Sequence, residues 1–509
     1  MVGPACKLKK HWLPIIPLFF VLLPAAHCSA ADGEELGRIR SALVSIKSVI
    51  QRPDYNSPWK NYDYRAGSGS GFIIKGQRII TNAHLVSDSK YIEVKKENSA
   101  TPYRAIVSFI GHDCDLAILD VPDKSFFDGT TCLEFSTEMP GLQDTVMVYG
   151  FPTGGQRVSV TRGVVSRIDY APYTHSASDA HLIIQIDAAI NKGNSGGPVM
   201  KGGRVIGVAF QFRKSLENVG HAVPLTVIEH FMEDIADGTY DGYPDLGIFY
   251  SSLSNEAYRR YAGLEKGQSG VVVRDIIRRS SADGSILPRD VLLSIDGHTI
   301  RNDGSILVEG YSYNLAEISE RKQVGEVVEF KVVREGATTG VNFPLKGWGE
   351  RMIRSNTYDR PPEYFIFGGL LFQPLSREYL KTWPNDWWNT ADKRLLYYYD
   401  YYFADNIYLE DPEPVVLTRV LPAPVNRYYS GVTDMIIKKV NGKKIKSIRD
   451  LVEAFDGNKG EYHVIEFDGH YAPCVLQSKQ VAIENPAVFK SYGVSSDRHI
   501  DAEHRGDEQ

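Results

Sequence analysis

Residues 185–198 read Q-I-D-A-A-I-N-K-G-N-S-G-G-P and place a single serine, Ser195, among small residues. Acyl transfer by serine needs a hydroxyl that is open to substrate and backbone N–H groups that point at the developing oxyanion. The glycines around Ser195 allow a tight turn that meets both needs, because glycine has no Cβ. The segment therefore predicts a serine nucleophile. The alternative that it leaves open is a Gly-rich turn with a solvent-exposed serine.

Two upstream segments contain candidates for the base and the acid that activate such a serine. The run I-I-T-N-A-H-L-V carries His84, and the run D-C-D-L-A-I-L carries Asp115 at the start of an apolar strand. His112 and Asp113 lie close by in sequence and compete for the same two roles. The chain order histidine, aspartate, serine is that of the chymotrypsin-like arrangement, whereas other serine hydrolase folds use other orders.

Together these segments resemble the HtrA/Deg family of chymotrypsin-fold serine proteases. The resemblance rests on the T-N-A-H, D-L-A-I-L and D-A-A-I-N-K-G-N-S-G-G-P blocks. It extends to G-F-I-I at 71–74, T-R-G-V-V-S at 161–166 and G-H-A-V-P at 220–224. The chain is most similar to the plant nucleolar type of Deg protease and its bacterial relatives. That similarity runs from about Ser41 to about Val475.

The resemblance implies a role for each candidate residue. Ser195 attacks the scissile carbonyl, His84 takes the proton and returns it to the leaving amine, and Asp115 orients the imidazole. Asp115 is preferred to its neighbour because it directly precedes the L-A-I-L strand, as in the family. His112 lacks the T-N-A-H setting and is expected at the surface. The oxyanion hole is expected from the backbone N–H groups of Gly193 and Ser195.

The elements that must position these residues are short strands. Between Ser41 and Gly220, β-branched and apolar runs alternate with glycine, aspartate and asparagine, which predicts an all-β sandwich or a pair of barrels. Pro224 then opens a helix with apolar residues on one face. Residues 237–244 (D-G-T-Y-D-G-Y-P) are typical of a linker.

An internal repeat follows this linker. D-V-L-L-S-I-D-G-H-T-I at 290–300 matches D-M-I-I-K-K-V-N-G-K-K-I at 434–445, and each predicts two strands joined by a tight turn. Two unrelated hairpins are the alternative, but the pattern resembles the PDZ domains of HtrA proteins. A PDZ groove captures a C-terminal peptide by strand addition. Resemblance to its carboxylate loop makes four residues the candidate peptide-binding set: Gly263, Leu264, Gly270 and Val271.

The second repeat departs further from the PDZ pattern. Aromatic segments at 383–388 (W-P-N-D-W-W) and 395–403 (L-L-Y-Y-Y-D-Y-Y-F) interrupt its expected ligand loop, which argues against peptide binding there. So dense a cluster either packs on its own domain or forms a subunit or domain interface. Beyond Ser478 the apolar periodicity fades, which predicts a disordered tail.

The expected fold is mostly β, a chymotrypsin-like double β-barrel protease domain followed by two PDZ-like α+β domains. The expected boundaries are a signal peptide at 1–30, a trypsin-like serine protease domain at 41–240, a PDZ domain at 245–347, a second, divergent PDZ-like domain with an aromatic insertion at 358–478, and a disordered tail at 493–509.

The N-terminus predicts export. A basic start is followed by an apolar run at 13–26 that is too short, and too often broken by proline, to span a bilayer. Small residues up to Ala30 are typical of a cleavage site. We therefore expect a periplasmic or otherwise secreted protein with no stable membrane span. The net charge of −6 gives no electrostatic case for binding nucleic acid.

Cysteine and metal chemistry are not expected to carry the function. Beyond the leader, Cys114, Cys132 and Cys474 are too few for a disulfide framework. Cys114 and Cys132 could pair, but a buried free thiol is favoured. No metal-ligand motif is present in the sequence, and no cofactor is expected.

Three hypotheses about function remain open. The first is an ATP-independent serine endoprotease for misfolded or unfolded exported proteins, which the resemblance implies is a homo-oligomer, a trimer or larger, with a preference for small or medium apolar P1 residues. The second is a chaperone or peptide-binding scaffold with little or no proteolysis. The third, and weakest, is a pseudo-protease with a disordered activation region at 170–182.

Overall fold

The N-terminal half of the chain folds into two closed barrels, and the C-terminal half folds into two further α+β units. The computed structural model describes residues 1, 3, 30–152, 157–190, 193–210, 220–308, 310–347, 353–384, 386–469 and 472–501. The mostly β architecture predicted from the sequence is confirmed.

The first barrel is built from six antiparallel strands: β1 (Leu43–Ile50), β2 (Arg65–Ile74), β3 (Arg78–Thr81), β4 (Ser89–Lys96), β5 (Tyr103–Gly111) and β6 (Leu116–Asp120). They close in the order β1-β2-β3-β6-β5-β4. Apolar side chains alternate toward the interior, where Phe72, Ile79 and Ile118 are completely buried. Helix α1 (Ala30–Ala42) precedes the barrel, and the short helix α2 (Ala83–Val86) follows β3 almost directly.

The second barrel repeats this plan with β7 (Thr145–Gly150), β8 (Ser159–Pro172), β9 (Ala180–Ile186), β10 (Pro198–Lys201), β11 (Arg204–Phe210) and β12 (Gly220–Pro224). These strands close in the order β10-β11-β12-β9-β8-β7. Helix α3 (Leu225–Asp234) starts directly after Pro224 and buries Leu225, Ile228 and Phe231, as its apolar face predicts. The loop between β9 and β10 carries Ser195.

The first C-terminal unit, residues 245–347, contains one sheet in the order β13-β14-β15-β19-β20 and a separate β17-β18 hairpin. Its strands are β13 (Ile248–Ser252), β14 (Val271–Ile276), β15 (Val291–Ile295), β16 (His298–Thr299), β17 (Ser305–Val308), β18 (Tyr311–Asn314), β19 (Val327–Arg334) and β20 (Ala337–Pro344); its helices are α4 (Glu256–Tyr261) and α5 (Ala316–Glu320). The predicted Asp-Gly turn joins β15 to β16, with φ of 43° at Asp296 and 81° at Gly297.

The second C-terminal unit, residues 353–501, has a sheet in the order β27-β26-β24-β23-β22-β21-β28. Its strands are β21 (Tyr364–Phe367), β22 (Leu370–Pro374), β23 (Val415–Val420), β24 (Met435–Val440), β25 (Lys443–Lys444), β26 (Tyr462–Phe467), β27 (Cys474–Gln477) and β28 (Arg498–His499). Its helices are α6 (Arg377–Leu380), α7 (Trp387–Thr390), α8 (Lys393–Tyr401), α9 (Ile407–Glu410), α10 (Ile448–Asp456) and α11 (Ser478–Tyr492). The predicted Asn-Gly turn joins β24 to β25.

The expected disordered tail is wrong for residues 493–501. Strand β28 pairs with β21, and the Arg498 guanidinium bonds the carboxylates of Asp456 and Asp497. Helix α11 also lies beyond the predicted domain end at 478. The sequence concealed this helix because only Val481 and Val488 are buried on it and Pro486 lies inside it.

The first C-terminal unit is joined to the second barrel through a buried contact. Leu182 of β9 belongs to the same core cluster as Ile306 and Ile318 of the unit. Beside it, His181 Nδ1 lies 3.0 Å from Glu320 Oε2. Among the described residues no helix is long and apolar enough to cross a bilayer.

Candidate active site

His84 and Asp115 form a hydrogen-bonded pair between the end of β3 and the start of β6. His84 Nδ1 lies 2.8 Å from Asp115 Oδ2, and the His84 backbone N–H donates to Asp115 Oδ1 at 2.9 Å. The Asp115 side chain is 2% exposed, whereas that of His84 is 33% exposed. Since the carboxylate accepts from Nδ1–H, the neutral imidazole keeps its Nε2 unprotonated. This tautomer is the one that a general base requires.

The backbone holds Asp115 in place. Asp115 has φ of 54°, a left-handed conformation that non-glycine residues seldom adopt. Its carbonyl accepts a bond from the Asn82 side-chain amide at 3.0 Å. The T-N-A-H block therefore supplies both the imidazole and a side chain that anchors its partner.

The contact between His84 and Asp115 shifts the pKa of each residue in the direction that favours its charged form. Burial acts to lower the pKa of His84, but the adjacent Asp115 carboxylate outweighs it, and the pKa is raised. Burial acts in the opposite direction on Asp115, and the charge of His84 lowers its pKa below the usual value. An imidazolium at His84 is therefore stabilised by its neighbour.

The turn that carries Ser195 packs against the helix that carries His84. Gly193 and Gly196 have φ of 101° and 83°, which favour glycine. A Cβ on Gly196 would lie 2.4 Å from Thr81 Oγ1 and 3.2 Å from Leu85. Only glycine lets this turn approach so closely, which explains the residue type after the serine.

Ser70 of β2 contacts the serine turn, which the sequence did not predict. Its backbone N–H donates to the Ser195 carbonyl at 2.8 Å, and its hydroxyl donates to the Gly193 carbonyl at 2.6 Å. The Phe151 N–H in turn donates to Ser70 Oγ. Ser70 thus joins the first barrel to the serine turn of the second. The alternation G-S-G-S-G at 67–71 is the signal that could have indicated it.

The expected oxyanion hole is compatible with this turn. In the described part of the chain, neither the Gly193 N–H nor the Ser195 N–H donates to an acceptor. Ser195 itself is 8% exposed. The oxyanion hole at Gly193 and Ser195 stays a prediction.

The expectation that His112 is a surface residue is wrong. Its Nδ1 lies 3.0 Å from His175 Nε2, and its Nε2 lies 3.0 Å from Asp359 Oδ2. The competing acid, Asp113, accepts a hydrogen bond from the Tyr240 hydroxyl at 2.5 Å. The carboxylate that accepts from His84 is that of Asp115. The sequence could not show these partners, because Asp359 is 247 residues from His112.

The structure does not support the predicted peptide-binding residues. Val271 pairs with Ser252 of β13 on one side and with Leu292 of β15 on the other, which leaves it no free edge. Leu264 is buried in a small core with Val272. A Cβ on Gly270 would meet the Leu292 carbonyl at 2.4 Å, and Gly263 ends helix α4 with φ of 84°. The two end strands of this sheet are β13 and β20.

The aromatic insertion packs mainly on its own unit. Leu395, Tyr398 and Tyr402 are buried together with Val416 and Ile436 of the unit's sheet. Tyr55 of the protease half packs against the same cluster. Both interpretations of the cluster therefore hold in part, since it is a core that also contacts a neighbouring domain.

The three cysteines of the described residues are free thiols. Cys114 and Cys474 are buried free thiols and Cys132 is an exposed one. Burial raises the pKa of Cys114 well above its usual value. Among the described residues, no group of three or more metal-ligating side chains is close enough to hold an ion. Most of the predicted signal peptide at 1–30 lies outside the described residues.

Two closed barrels with an Asp–His pair beside a serine turn define a serine endopeptidase of the chymotrypsin fold. Residues 69–208 match the family model described as a trypsin-like peptidase domain, and residues 353–501 match the one described as a PDZ domain.

The chain belongs to the Deg/HtrA family. It is 34% identical over 415 residues to protease Do-like 4, mitochondrial, of Arabidopsis thaliana, which covers 81% of this chain and 76% of that protein. It is 34% identical over 467 residues to protease Do-like 2, chloroplastic, of the same plant, which covers 91% of this chain and 75% of the relative.

A solved structure agrees with the fold. A serine-to-alanine variant of the HtrA-type protease AlgW, with a decapeptide, matches with a TM-score of 0.50 and 21% identity, covering 62% of this chain and 96% of the other.

Proposed function

We propose that Ser195, His84 and Asp115 form the catalytic triad of this endopeptidase and that it cuts unfolded proteins. The observation that carries the proposal is the buried Asp115–His84 hydrogen bond of 2.8 Å, set beside the glycine turn of Ser195. That arrangement fixes the imidazole tautomer and leaves one ring nitrogen free for a serine proton.

The proposed reaction proceeds through an acyl-enzyme. Ser195 Oγ attacks the scissile carbonyl carbon while His84 Nε2 takes its proton, and Asp115 stabilises the imidazolium. The N–H groups of Gly193 and Ser195 bind the oxyanion. Collapse breaks the C–N bond as His84 protonates the leaving amine, and water then hydrolyses the ester by the same steps.

The open β13 edge of the first C-terminal unit favours peptide capture. A peptide C-terminus can add to a free strand edge through main-chain hydrogen bonds. The relative AlgW is named with a bound decapeptide, which supports this role by analogy. We therefore propose that β13, rather than Val271, receives C-terminal peptides of substrates or regulators.

We propose that the N-terminal segment is a targeting segment. Relatives named mitochondrial and chloroplastic give no support to the periplasm expected above and favour an organelle. N-terminal sequencing of the mature protein, with fluorescence imaging of a tagged full-length chain, tests this. A start near Ala30 inside an organelle is expected, and an intact Met1 in the cytosol would overturn it.

Casein digestion tests the proposed activity. The full-length protein is expected to cut unfolded casein, with product termini read by mass spectrometry giving the P1 preference. Ser195→Ala is expected to lower turnover by a factor on the order of 10⁵. Because the pKa of His84 is raised, the acid limb of kcat/KM is expected above about 6.5. Suppression of casein aggregation by Ser195→Ala would reveal a separate chaperone activity.

A further inference from the structure

Two histidines outside the proposed triad connect it to the segment that begins the second C-terminal unit. The ring centroid of His175 lies 6.3 Å from that of His84. His175 Nε2 lies 3.0 Å from His112 Nδ1, and His112 Nε2 lies 3.0 Å from Asp359 Oδ2. Asp359 belongs to residues 353–362, the N-terminal segment of the second C-terminal unit, which we call the linker.

The contacts form a continuous chain of two imidazoles and a carboxylate. The Asp359 carboxylate accepts from His112 Nε2–H, and the other ring nitrogen of His112, Nδ1, shares a hydrogen bond with His175 Nε2. Burial lowers the pKa of His175 to about 3, which keeps this ring neutral at working pH. His175 thus stands beside the His84–Asp115 pair as an uncharged ring with a fixed orientation.

Tyr358 of the linker holds the other face of His175. The two rings stack with centroids 4.4 Å apart and an interplanar angle of 13°. The Tyr358 hydroxyl donates to the His175 carbonyl at 2.7 Å, and its ring also lies 4.6 Å from His112. His175 is therefore enclosed between His84 and the linker.

The loop at 173–179, which carries His175, depends on the same region for its carbonyl partners. Asn356 of the linker donates to the Ser176 carbonyl at 2.8 Å. The buried Arg377 of α6 donates to the Ser176 and Ala177 carbonyls at 2.6 and 3.1 Å. Buried carbonyls need such partners, so the loop conformation requires the second C-terminal unit to be in place.

The linker is itself fixed on the first barrel. The Asp359 N–H donates to Asp88 Oδ1 at 2.9 Å, and the Asp88 N–H donates back to the Asp359 carboxylate. Asp88 lies only four positions after His84 in sequence. The linker is thus fixed next to the helix that carries His84, independently of its contacts to His175.

We propose that His175 and His112 are positioning residues for the His84–Asp115 pair, and that the linker holds them in place. The linker is then part of the active protease. Because a third of the His84 side chain stays exposed with the linker docked, the linker leaves the base open to substrate. The inference rests on the proposed triad.

The expected action of His175 is to keep water away from the pair. The charged and titratable groups that act on it are Asp115, His112, His84 and Arg52. Without its ring, water competes for the Asp115 carboxylate and the imidazole loses part of its fixed orientation. Water weakens both the burial that lowers the pKa of His84 and the stronger Asp115 interaction that raises it, so this pKa returns toward its ordinary value and the acid limb of activity moves to lower pH.

The test measures the rate at which a fluorophosphonate probe acylates the full-length protein. This rate does not depend on which peptide substrate the protein prefers. Tyr358→Ala is expected to lower the limiting acylation rate roughly tenfold, with the half-saturating probe concentration within about twofold. Tyr358→Phe keeps the stacked ring and is expected to lose only about twofold. His175→Ala is expected to move the acid limb to lower pH. Tyr261→Ala, at a position that is 88% exposed on α4, serves as the matched control.

The outcomes separate the two proposals. If the wild-type protein is not acylated at Ser195, the proposed triad fails. If it is acylated, and Tyr358→Ala and His175→Ala leave both the rate and the pH profile unchanged, the linker inference is overturned. Thermal unfolding shows whether Tyr358→Ala is folded. Where it is not, His175→Ala decides, and a wild-type rate with a wild-type pH profile in that variant contradicts the inference.

Discussion

The two C-terminal units place equivalent strands in different surroundings. The segments G-I-F-Y-S-S-L-S at 247–254 and G-L-L-F-Q-P-L-S at 369–376 each begin with a glycine of positive φ, at Gly247 and Gly369. In the first unit, β13 pairs with β14 and ends the sheet. In the second, β22 pairs with β23 on one side and with β21 on the other.

We infer from this comparison that the first unit captures peptides and that the second unit supports the active site. Strand addition needs a free edge, which the first unit has and the second has filled with its own β21. The second unit instead contacts the protease half through its linker and Arg377, next to the His84–Asp115 pair. We infer that one repeat kept a surface for ligands while the other became part of the active-site structure.

The largest expected difference concerns the β21–β22 turn. A Cβ on Gly369 would lie 2.5 Å from the Leu421 carbonyl, at φ of 79°. Gly336, in the β19–β20 turn of the first unit, has φ of 82° and nothing within 4 Å. Gly369→Ala is expected to cost about 3 kcal/mol of unfolding free energy, from strain and overlap together. Gly336→Ala is expected to cost about 1 kcal/mol from strain alone.

Denaturant unfolding followed by circular dichroism measures both variants, because each unit contains its own β-sheet. Equal shifts in the two variants would mean that β21 does not fill the edge as described.

The next effect concerns the pH dependence of the first unit's contact with the second barrel. Burial acts to lower the pKa of His181, but Glu320 outweighs it and raises the pKa to about 8. This contribution to stability is complete below the unfolded value of about 6.5 and is lost as pH rises through 8. The contribution that is lost over this range is about 2 kcal/mol of unfolding free energy.

Thermal unfolding between pH 6 and 9 tests this dependence. His181→Gln is expected to flatten the decline in stability, whereas the half-buried His298 of β16 serves as a control position through His298→Gln. If stability declines with pH in His181→Gln as steeply as in the wild-type protein, the His181–Glu320 contact does not cause the decline. Glu317 contributes in the same direction at lower pH, since burial raises its pKa to about 7.

The smallest expected effect is a difference between β13 and β22 in hydrogen exchange. A peptide with an apolar C-terminus is expected to slow hydrogen exchange of β13 amides about tenfold. The amides of β22 are expected to be protected with or without peptide, because β21 and β23 already pair with them. Mass spectrometry of peptic fragments resolves the strands. Peptide protection of β22 instead of β13 would reverse the comparison.

The sequence predicts local chemistry better than long-range neighbours. The T-N-A-H and D-L-A-I-L blocks indicated the His84–Asp115 pair, because each block is a short strand end with its own turn. The repeat of Asp-Gly and Asn-Gly hairpins likewise indicated two similar units, which the structure contains. These features depend on a few consecutive residues.

Features that depend on strand order or on packing between distant residues were not predicted from the sequence. A hairpin motif does not say which strand ends a sheet, so the sequence did not show that Val271 lies on an inner strand and that β13 is an end strand. His175 looked ordinary because its partner Tyr358 lies 183 residues away. Residues 493–501 looked disordered because β28 gains its pairing only from β21.

The central claim is that Ser195 is the nucleophile, and intact-protein mass spectrometry after fluorophosphonate treatment tests it most directly. The full-length protein is expected to gain one adduct on the peptide that carries Ser195. Ser195→Ala is expected to gain none, and Ser254→Ala, at an exposed serine of the first C-terminal unit, is expected to react like the wild-type protein. An adduct that persists in Ser195→Ala, or that maps to another serine, would contradict the account.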